Sequence, residues 1–339
     1  MLPVAVDAMG GDRAPDAIVE GAILAAAELD VPILLVGRPE VLSGLDTGGL
    51  EVLAASEVIE MGEDPAKGVR RKKDSSLVRA AEAVRDGRAC AMVSAGNTGA
   101  TMASALLRMG RLPNVVRPAI ATPIPVPGAG HTVLLDAGAN SECTAQMLVQ
   151  FAQMGSAFST ARFGVAAPRV GLLSIGEEPG KGTLLVKETW SLLDALDGID
   201  FIGNVEGRDV MTDMVDVVVA DGFTGNVVLK TLEGAMRCLE AAVMEVLIGT
   251  EEAAAVSAPL VPAFLSLARY LDPDSTGGAM LLGVNGVCII SHGSSSALAV
   301  VNAVRTARDM VEADLVANLR SAVAVAAVSA AVPSPAPGS

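Results

Sequence analysis

Two polar turns in the sequence carry residues whose types and order suit the binding of an anion. One turn contains Asn97, Thr98 and Gly99, the other contains Ser294, and each opens a predicted helix. The free backbone N–H groups at a helix N-terminus, helped by hydroxyl groups, can hold a phosphate. Lys181 is the side chain that we expect to supply the opposite charge. The sequence therefore predicts a phosphate site between these turns.

Two titratable side chains close to these turns are candidates for moving protons. His292 follows an apolar run, residues 287–290, and a histidine ionises near neutral pH, so it can donate a hydrogen bond or carry a proton. A capping or core histidine is the alternative. Asp7 and Asp12 flank a pair of glycines, where each is a general base, an orienting carboxylate or a helix cap. We take Asp7 as the catalytic candidate of the two.

Further candidates lie in other glycine-rich turns that follow predicted strands. In an open parallel sheet, ligands bind beyond the carboxyl ends of the strands, so each such turn is a place to search. Asparagine also favours turns by itself, which is the alternative explanation for each one. The weaker substrate-binding candidates are Asn140, Asn204, Asn226 and Lys230.

Short apolar segments, each followed by a polar turn and a helical pattern, must position these side chains. The predicted strands are residues 4–6, 32–36, 89–93, 132–135, 169–175 and 215–220. Their apolar runs are continuous, which is typical of strands buried on both faces. We therefore predict an α/β fold with a mostly parallel sheet layered between helices. One catalytic domain should cover residues 1–320, with a helical hairpin at about 226–272, before an Ala/Pro-rich tail at 321–339 that is expected to fray.

The composition excludes several classes of protein. The 339 residues carry a net charge of −15 and only 2% aromatic side chains, which argues against a nucleic-acid-binding protein. Four cysteines and two histidines, none close together, offer no zinc-ligand spacing, so no metal is expected. The P-loop and dinucleotide fingerprints are missing after the predicted strands. No signal peptide or membrane-spanning helix is predicted, and we expect a cytoplasmic protein.

Several of these turns also match, in order, the motifs of a known family. The matching segments are VAVDAMGGD at residues 4–12, KKDSS at 72–76, SAGNTGA at 94–100, LLDAGAN at 134–140, IGEEPGKG at 175–182, GNVEGRD at 203–209, DGFTGNVVLKT at 221–231, and LLGVNGV with SHGSSS between 281 and 296. The sequence thus resembles the phosphate acyltransferase family of bacterial phospholipid synthesis over about residues 3–310. It departs from the family pattern at Thr183, where asparagine is expected, and at Ser296, where an acidic or amide residue is more usual.

The resemblance implies a reaction, a fold and partners. A long-chain acyl group would pass from acyl carrier protein to inorganic phosphate, giving acyl phosphate and free carrier protein. The fold would resemble the isocitrate and isopropylmalate dehydrogenases and the phosphotransacetylases, in a homodimer that needs no organic cofactor. A membrane-bound glycerol-3-phosphate acyltransferase would then consume the acyl phosphate. Two alternatives stay open: a phosphotransacetylase that uses acyl-coenzyme A, and an inactive scaffold for lipid enzymes at the membrane.

A basic segment offers a docking surface for the acyl carrier protein, which as a class is strongly acidic. Residues 67–88 contain eight basic and three acidic side chains, a net charge of +5 in an acidic chain. Opposite charges steer the association of two proteins. Arg70, Arg71, Lys72 and Lys73 are therefore the predicted docking residues, and a solvated helix face is the alternative.

The predicted hairpin has two parts of different character. Residues 228–247 show an amphipathic pattern, whereas residues 253–268 carry no charged side chain. The second part is too short and too broken by proline to span a bilayer. It is expected either to be buried in the core or in a dimer interface, or to form a tip that makes transient contact with the membrane surface. The tip would make the enzyme peripheral at the inner face of the cell membrane.

Overall fold

The structure, a computed structural model, describes residues 1–329; at residue 273 and at residues 324–329 it describes the backbone alone. Within this part of the chain, eleven strands form one sheet. In chain order the strands are β1 Val4–Asp7, β2 Ile33–Gly37, β3 Glu51–Ala54, β4 Ala91–Ser94, β5 Ala119–Val126, β6 Gly130–Leu135, β7 Arg169–Leu173, β8 Asp200–Val205, β9 Val217–Val219, β10 Ala279–Leu282 and β11 Val287–Ile290.

Helices cover both faces of this sheet. They are α1 Asp16–Leu29, α2 Pro39–Leu42, α3 Pro65–Arg71, α4 Ser76–Arg85, α5 Thr98–Arg108, α6 Ala145–Phe163, α7 Leu184–Asp194, α8 Gly222–Ile248, α9 Glu251–Ser257, α10 Val261–Leu271, α11 Ala297–Glu312 and α12 Leu315–Ser329. On one face, α1, α6 and α11 bury Ile18, Phe151 and Val300. On the other face, α4 and α5 bury Leu77 and Ala105. Burial on both faces explains why so many strands are apolar throughout.

The strands form two parallel groups that run in opposite directions. Neighbouring strands follow the order β3-β2-β1-β4-β11-β10-β5-β6-β9-β7-β8. The pairs β11–β10, β10–β5 and β5–β6 are antiparallel, and every other neighbouring pair is parallel. The prediction of a mostly parallel sheet between helices is confirmed, but the reversal of direction was not predicted.

Strand register brings the carboxyl ends of the two groups together. Ala121 on β5 pairs with Met280 on β10 and with Leu135, the last residue of β6. Met280 also pairs with Ile289, near the end of β11. The turns that follow β11 and β6 therefore lie at the same level of the sheet, although the two strands run in opposite directions.

Side-chain caps fix where several helices begin. Thr144 and Thr183 cap α6 and α7 by accepting hydrogen bonds from backbone N–H groups three residues further on. Helix α8 begins at Gly222 rather than at Asn226, because the side chain of Asp221 accepts a hydrogen bond from Thr224 N–H at 2.9 Å and caps it there.

The predicted hairpin is an arm of three helices, α8, α9 and α10. Burial of residues 253–268 in the core was wrong, because Ser257 is the one buried side chain in this segment. Among the described helices, none is long and apolar enough to cross a membrane alone; α9 and α10 reach that length and composition only as a pair bent by 85°. Helix α12 runs across the predicted tail boundary at 320, and residues 330–339 lie outside the described residues.

Candidate active site

A cavity of about 800 Å³ opens where the two groups of strands meet. Helices α8 and α10 and strand β5 form its walls, and we call it the α8–α10 cleft. Five predicted site residues line it: Thr98, Asn226, Lys230, His292 and Ser294. Most of its other lining side chains are apolar. The cleft therefore combines a polar group of side chains with a long apolar wall, which is typical of a ligand site.

Three charged or ionisable side chains of the cleft contact one another. Glu233 lies one turn after Lys230 on α8, and Lys230 Nζ is 2.8 Å from Glu233 Oε2. His292 Nε2 is 3.4 Å from Glu233 Oε1. Burial by itself would raise the pKa of Glu233, but the hydrogen bonds from His292 and Lys230 outweigh it and lower that pKa to about 2. Glu233 is thus ionised at neutral pH and can orient the His292 ring.

Two hydroxyl groups in the cleft wall lack partners among the described residues. Ser291 and Thr122 both line the cleft, and neither Ser291 Oγ nor Thr122 Oγ1 makes a hydrogen bond there, although both atoms are buried. A buried polar group without a partner costs stability, so it calls for an explanation. A bound substrate that accepts hydrogen bonds would satisfy both hydroxyls.

The turn after β4 brings Thr98 to the cleft, whereas the side chain of Asn97 forms hydrogen bonds with neighbouring backbone groups. Asn97 Oδ1 accepts a hydrogen bond from Ala100 N–H at 3.0 Å, which caps α5. Its Nδ2 donates to the carbonyl oxygen of Met61 at 2.7 Å and to that of Glu63 at 3.2 Å. A Cβ at Gly99 would approach Pro65 to 2.6 Å. Asn97 and Gly99 therefore position the N-terminus of α5 rather than line the cleft.

Asp7 lies beneath the same turns, where it is buried. Its Oδ2 accepts a hydrogen bond from Ser94 Oγ at 2.7 Å, and its Oδ1 accepts one from Met9 N–H at 3.2 Å. Burial raises the pKa of Asp7, against the opposing effect of hydrogen bonds from Ser76 and Ser94. A Cβ at Gly10 would come within 2.5 Å of Asp7 Oδ2. The geometry fits an orienting carboxylate and not a general base that touches substrate.

Asn140 has a similar structural part in the turn after β6. Asp136 is buried there and accepts hydrogen bonds from four backbone N–H groups and, at 2.9 Å, from Asn140 Nδ2. Asn140 Nδ2 also donates to the carbonyl oxygen of Pro118 at 2.9 Å. A Cβ at Gly225 would lie 2.0 Å from the carbonyl oxygen of Asp136. This close packing fixes the start of α8 and so places Asn226 in the cleft.

Lys181 and Asn204 are not brought to the cleft. Both belong to the far group of strands, and β7, which precedes Lys181, lies five positions from β11. At the usual spacing of neighbouring strands this is roughly 24 Å across the sheet. Asn204 Nδ2 donates to the carbonyl oxygen of Glu178 at 2.9 Å and ties down the loop that carries Lys181. Lys230, also a predicted substrate-binding residue, lines the cleft, and Lys181 does not.

The basic segment lies next to the cleft, and its four predicted docking residues differ in their contacts. Lys72 Nζ donates to the carbonyl oxygen of Val58 at 2.6 Å and forms an ion pair with Glu63, so it holds the local fold. Arg70, Arg71 and Lys73 are exposed and form no ion pair with other described residues. They stand on and after α3, which packs on the N-terminus of α5 where Pro65 meets Gly99.

Sequence reasoning missed Glu233, Ser291 and Thr122. Glu233 lies within the amphipathic pattern of residues 228–247, and only its spacing of three residues from Lys230 signalled a shared face. The two hydroxyls carried no signal, because their lack of partners appears only in the folded chain. Among the described residues, no group of three or more His, Cys, Asp or Glu side chains is placed to hold a metal ion.

Comparison with known proteins identifies the family of this chain. Residues 2–318 match the model of a family described as fatty acid synthesis protein. A phosphate acyltransferase from Elusimicrobium minutum is 50% identical over 334 residues, which cover 95% of this chain and 96% of that protein. The chain belongs to the phosphate acyltransferase family. A second member, from Heliobacterium modesticaldum, is 48% identical over 326 residues, covering 94% of this chain and 97% of its own. As a member of the phosphate acyltransferase family, the chain is an enzyme, an acyltransferase.

Solved structures with a similar fold come from two kinds of enzyme. The EutD phosphotransacetylase from Staphylococcus aureus has a TM-score of 0.58 at 17% identity, and the match covers 91% of this chain and 94% of that one. A 4-hydroxythreonine-4-phosphate dehydrogenase from Klebsiella pneumoniae has a TM-score of 0.52 at 13% identity, covering 92% of this chain and 100% of that one. At these identities the likeness shows that this phosphate acyltransferase family shares their fold, and it confirms the dehydrogenase-like architecture.

Proposed function

We propose that this enzyme transfers a long-chain acyl group from acyl carrier protein to inorganic phosphate. One observation carries the proposal: a single cleft joins the polar group around His292 to a long apolar wall. A reaction between phosphate and a fatty acyl thioester needs both surfaces side by side, because the anion and the chain must be held together. The family to which the chain belongs supports acyl transfer to phosphate.

The reaction exchanges one bond to the acyl carbon for another. A phosphate oxygen forms a bond to the thioester carbonyl carbon, the carbon–sulfur bond breaks, and the proton of that phosphate hydroxyl ends on the sulfur of the carrier. Inorganic phosphate is itself a nucleophile, so neither a serine or cysteine nucleophile nor an organic cofactor is required. The enzyme must hold the anion, move one proton and stabilise the oxyanion.

His292 is suited to move that proton. Its Nε2–H points to the ionised Glu233, which leaves Nδ1 free to take the proton from phosphate and return it to the departing sulfur. The nearby carboxylate stabilises the imidazolium that exists between these two steps. Lys230 and Thr98 face the same cleft and hold phosphate, and the unpartnered hydroxyls of Ser291 and Thr122 bind oxygens of the reacting groups.

The donor reaches this site from the side of α3. The exposed, unpaired Arg70, Arg71 and Lys73 form a positive surface next to the turn that carries Thr98. An acidic carrier protein fits this surface, and its thioester would enter the cleft close to His292. Lys72 supports the surface through its bonds to Val58 and Glu63 rather than through contact with the partner.

The working enzyme is proposed to be a cytoplasmic homodimer that touches the inner face of the membrane. Exposed apolar side chains in the loop after β7 and at the starts of α7 and α8, namely Ile175, Leu184 and Phe223, offer an interface for a second copy. The apolar arm provides the transient membrane contact, where a glycerol-3-phosphate acyltransferase would take up the acyl phosphate. Hand-over at the membrane suits a product that is both apolar and prone to hydrolysis.

The test of the proposed function is phosphate-dependent release of free thiol from two donors, acyl carrier protein and coenzyme A, bearing the same acyl chain. We expect the carrier-protein donor to react with the higher kcat/KM. A preference for coenzyme A would instead assign the phosphotransacetylase activity. No turnover with either donor would favour the inactive scaffold.

A further inference from the structure

We infer that the apolar part of the α8–α10 cleft holds the acyl chain of the donor in an extended form, and that the methyl end of this acyl chain lies at Val243. This inference rests on the proposed function and adds selection of chain length to it. The occupant is one long acyl chain, with its carbonyl group near His292 and its methyl end near Val243.

One face of α8 forms a continuous apolar track away from the polar group. Leu229, Met236, Leu239 and Val243 line the cleft, and their spacings of three, four or seven residues place them on the same side of the helix. Phe264 on α10 lines the opposite wall. The track begins beside Lys230 and Glu233, so it is continuous with the site of the chemistry.

The large apolar side chains of the track are exposed to solvent, which is unusual when they form a continuous surface. Leu239 is 58% exposed and Leu267, across the cleft on α10, is 44% exposed. Apolar side chains that face one another across an open cleft gain stability when an apolar ligand removes them from water. A ligand with a polar head and an apolar tail fits a cleft in which the apolar track runs on from the polar group at His292, although Arg237 and Glu240 also line it.

The cleft has a physical end one turn beyond Val243. There Ser257 of α9 donates a hydrogen bond to the carbonyl oxygen of Leu247, so α9 crosses α8 at this point. Val246, one turn after Val243 and close to this crossing, is 76% exposed and does not line the cleft. The track therefore stops at Val243.

The length of the apolar track predicts the length of the acyl chain that the enzyme prefers. Glu233, which contacts His292, and Val243 are ten residues apart on α8, which corresponds to about 15 Å along the helix axis. A fully extended chain advances roughly 1.2 Å per bond, as an extended polypeptide does, so about 15 Å holds on the order of a dozen bonds. Carbons beyond this number would press against Val243.

The test compares donors of about eight, twelve and sixteen carbons on acyl carrier protein, since each methylene that loses its contacts changes affinity by about fourfold. Val243→Trp should lower kcat/KM for the longest donor by about tenfold or more and leave the shortest unchanged. Val243→Ala should shift the preference toward longer chains. Ala241→Trp, which puts the same large side chain on the opposite side of α8 and outside the cleft, is the control and should keep the wild-type profile.

The outcomes separate this inference from the proposed function. If wild-type enzyme releases no thiol with any donor, the proposed function fails. If wild-type enzyme is active but Val243→Trp and Val243→Ala both keep its chain-length profile, the inference is overturned while the function stands. A loss of dimer mass in light scattering for Val243→Trp, with an unchanged profile, would show that a second copy of the chain covers this track instead.

Discussion

The turns beneath the cleft and the helical arm above it are built in opposite ways. In the turns, Asp7 and Asp136 are buried and their oxygens are occupied by backbone and side-chain donors. Glycines there have no room for a Cβ, as at Gly10 and Gly225. In the arm, helix α10 buries none of its side chains and leaves apolar groups in water.

This difference assigns separate tasks to the two regions. Packed turns with hydrogen-bonded carboxylates hold the polar groups of the site at fixed positions before substrate arrives, which saves reorganisation during the reaction. We propose that the arm gains its apolar contacts from what it binds, first the acyl chain and then the membrane. Changes in the turns should therefore reduce stability, whereas changes in the arm should alter binding and leave the fold intact.

The largest effect is expected from a methyl group added at the start of α8. In Gly225→Ala the new Cβ would lie 2.0 Å from the carbonyl oxygen of Asp136, so we expect the free energy of unfolding to fall by about 3 kcal/mol or more. The control is Gly234→Ala on the same helix, where a Cβ meets nothing within 4 Å. Better helix propensity should raise its stability by up to about 1 kcal/mol. Denaturant unfolding measures the free energy of unfolding of both variants. Equal values would contradict the difference between the packed turns and the arm.

The arm can be tested by charges placed on its outer surface. Val256 is 83% exposed and Leu260 is 62% exposed, and neither lines the cleft. The double variant Val256→Glu, Leu260→Glu should lower co-sedimentation with vesicles of zwitterionic phospholipid by about tenfold or more, because both side chains lose burial in lipid. Its melting temperature should stay close to that of the wild type.

The control for the arm adds the same charge elsewhere on it. Ala241→Glu with Ala242→Glu, on exposed positions of α8, should bind vesicles as the wild type does. If the Val256, Leu260 variant loses its dimer and keeps its vesicle binding, the arm is a dimer interface and not a membrane contact.

A smaller effect is expected at the basic surface beside the turns. Reversing the charge in Arg70→Glu, Arg71→Glu should slow association with acyl carrier protein by about tenfold at low salt, and the difference should shrink at high salt. Lys187→Glu, an exposed reversal on α7, should change the rate much less. Stopped-flow measurement over a salt series provides the answer. A wild-type rate at every salt concentration would remove these arginines from the docking surface.

The smallest effect concerns stability against pH. The pKa of Glu233 is lowered to about 2 in the folded chain from an ordinary value of 4.5, so its contribution is complete above about pH 4.5 and declines as pH falls toward 2. Glu233→Gln lacks this dependence. Between pH 6 and pH 3 the wild type should lose on the order of 1 kcal/mol more unfolding free energy than the variant, after allowance for solvent screening. If the unfolding free energies of wild type and variant change in parallel with pH, the contacts of Glu233 with His292 and Lys230 are contradicted.

The sequence predicted the strands whose apolar runs are buried on both faces, such as β2 and β4. It did not predict β5, because Pro123 and Pro125 usually argue against a strand. Proline is tolerated here since the pairing of β5 with β10 ends at Ala121, which leaves residues 122–126 with a partner on one side only. Strand β3 was also missed, because it is a largely exposed edge strand with no continuous apolar run.

The candidate site could be predicted only where it depends on local patterns. His292, Thr98 and Lys230 follow from turn and helix motifs, and the structure places all three in one cleft. Lys181 sits in an equally suggestive turn, but strand order, which has no local signal, separates it from the cleft. Glu233 became a candidate only once the fold brought the turn after β11 against α8.

The most direct test of the account measures acyl phosphate formed from acyl carrier protein thioester and inorganic phosphate by wild-type enzyme and by His292→Gln. The account predicts that acyl phosphate and free carrier protein appear in equal amounts, that both require phosphate, and that the variant is slower by about 10²- to 10⁴-fold, the usual loss for a general acid–base group. Wild-type turnover by His292→Gln, or release of carrier protein without phosphate, would contradict it.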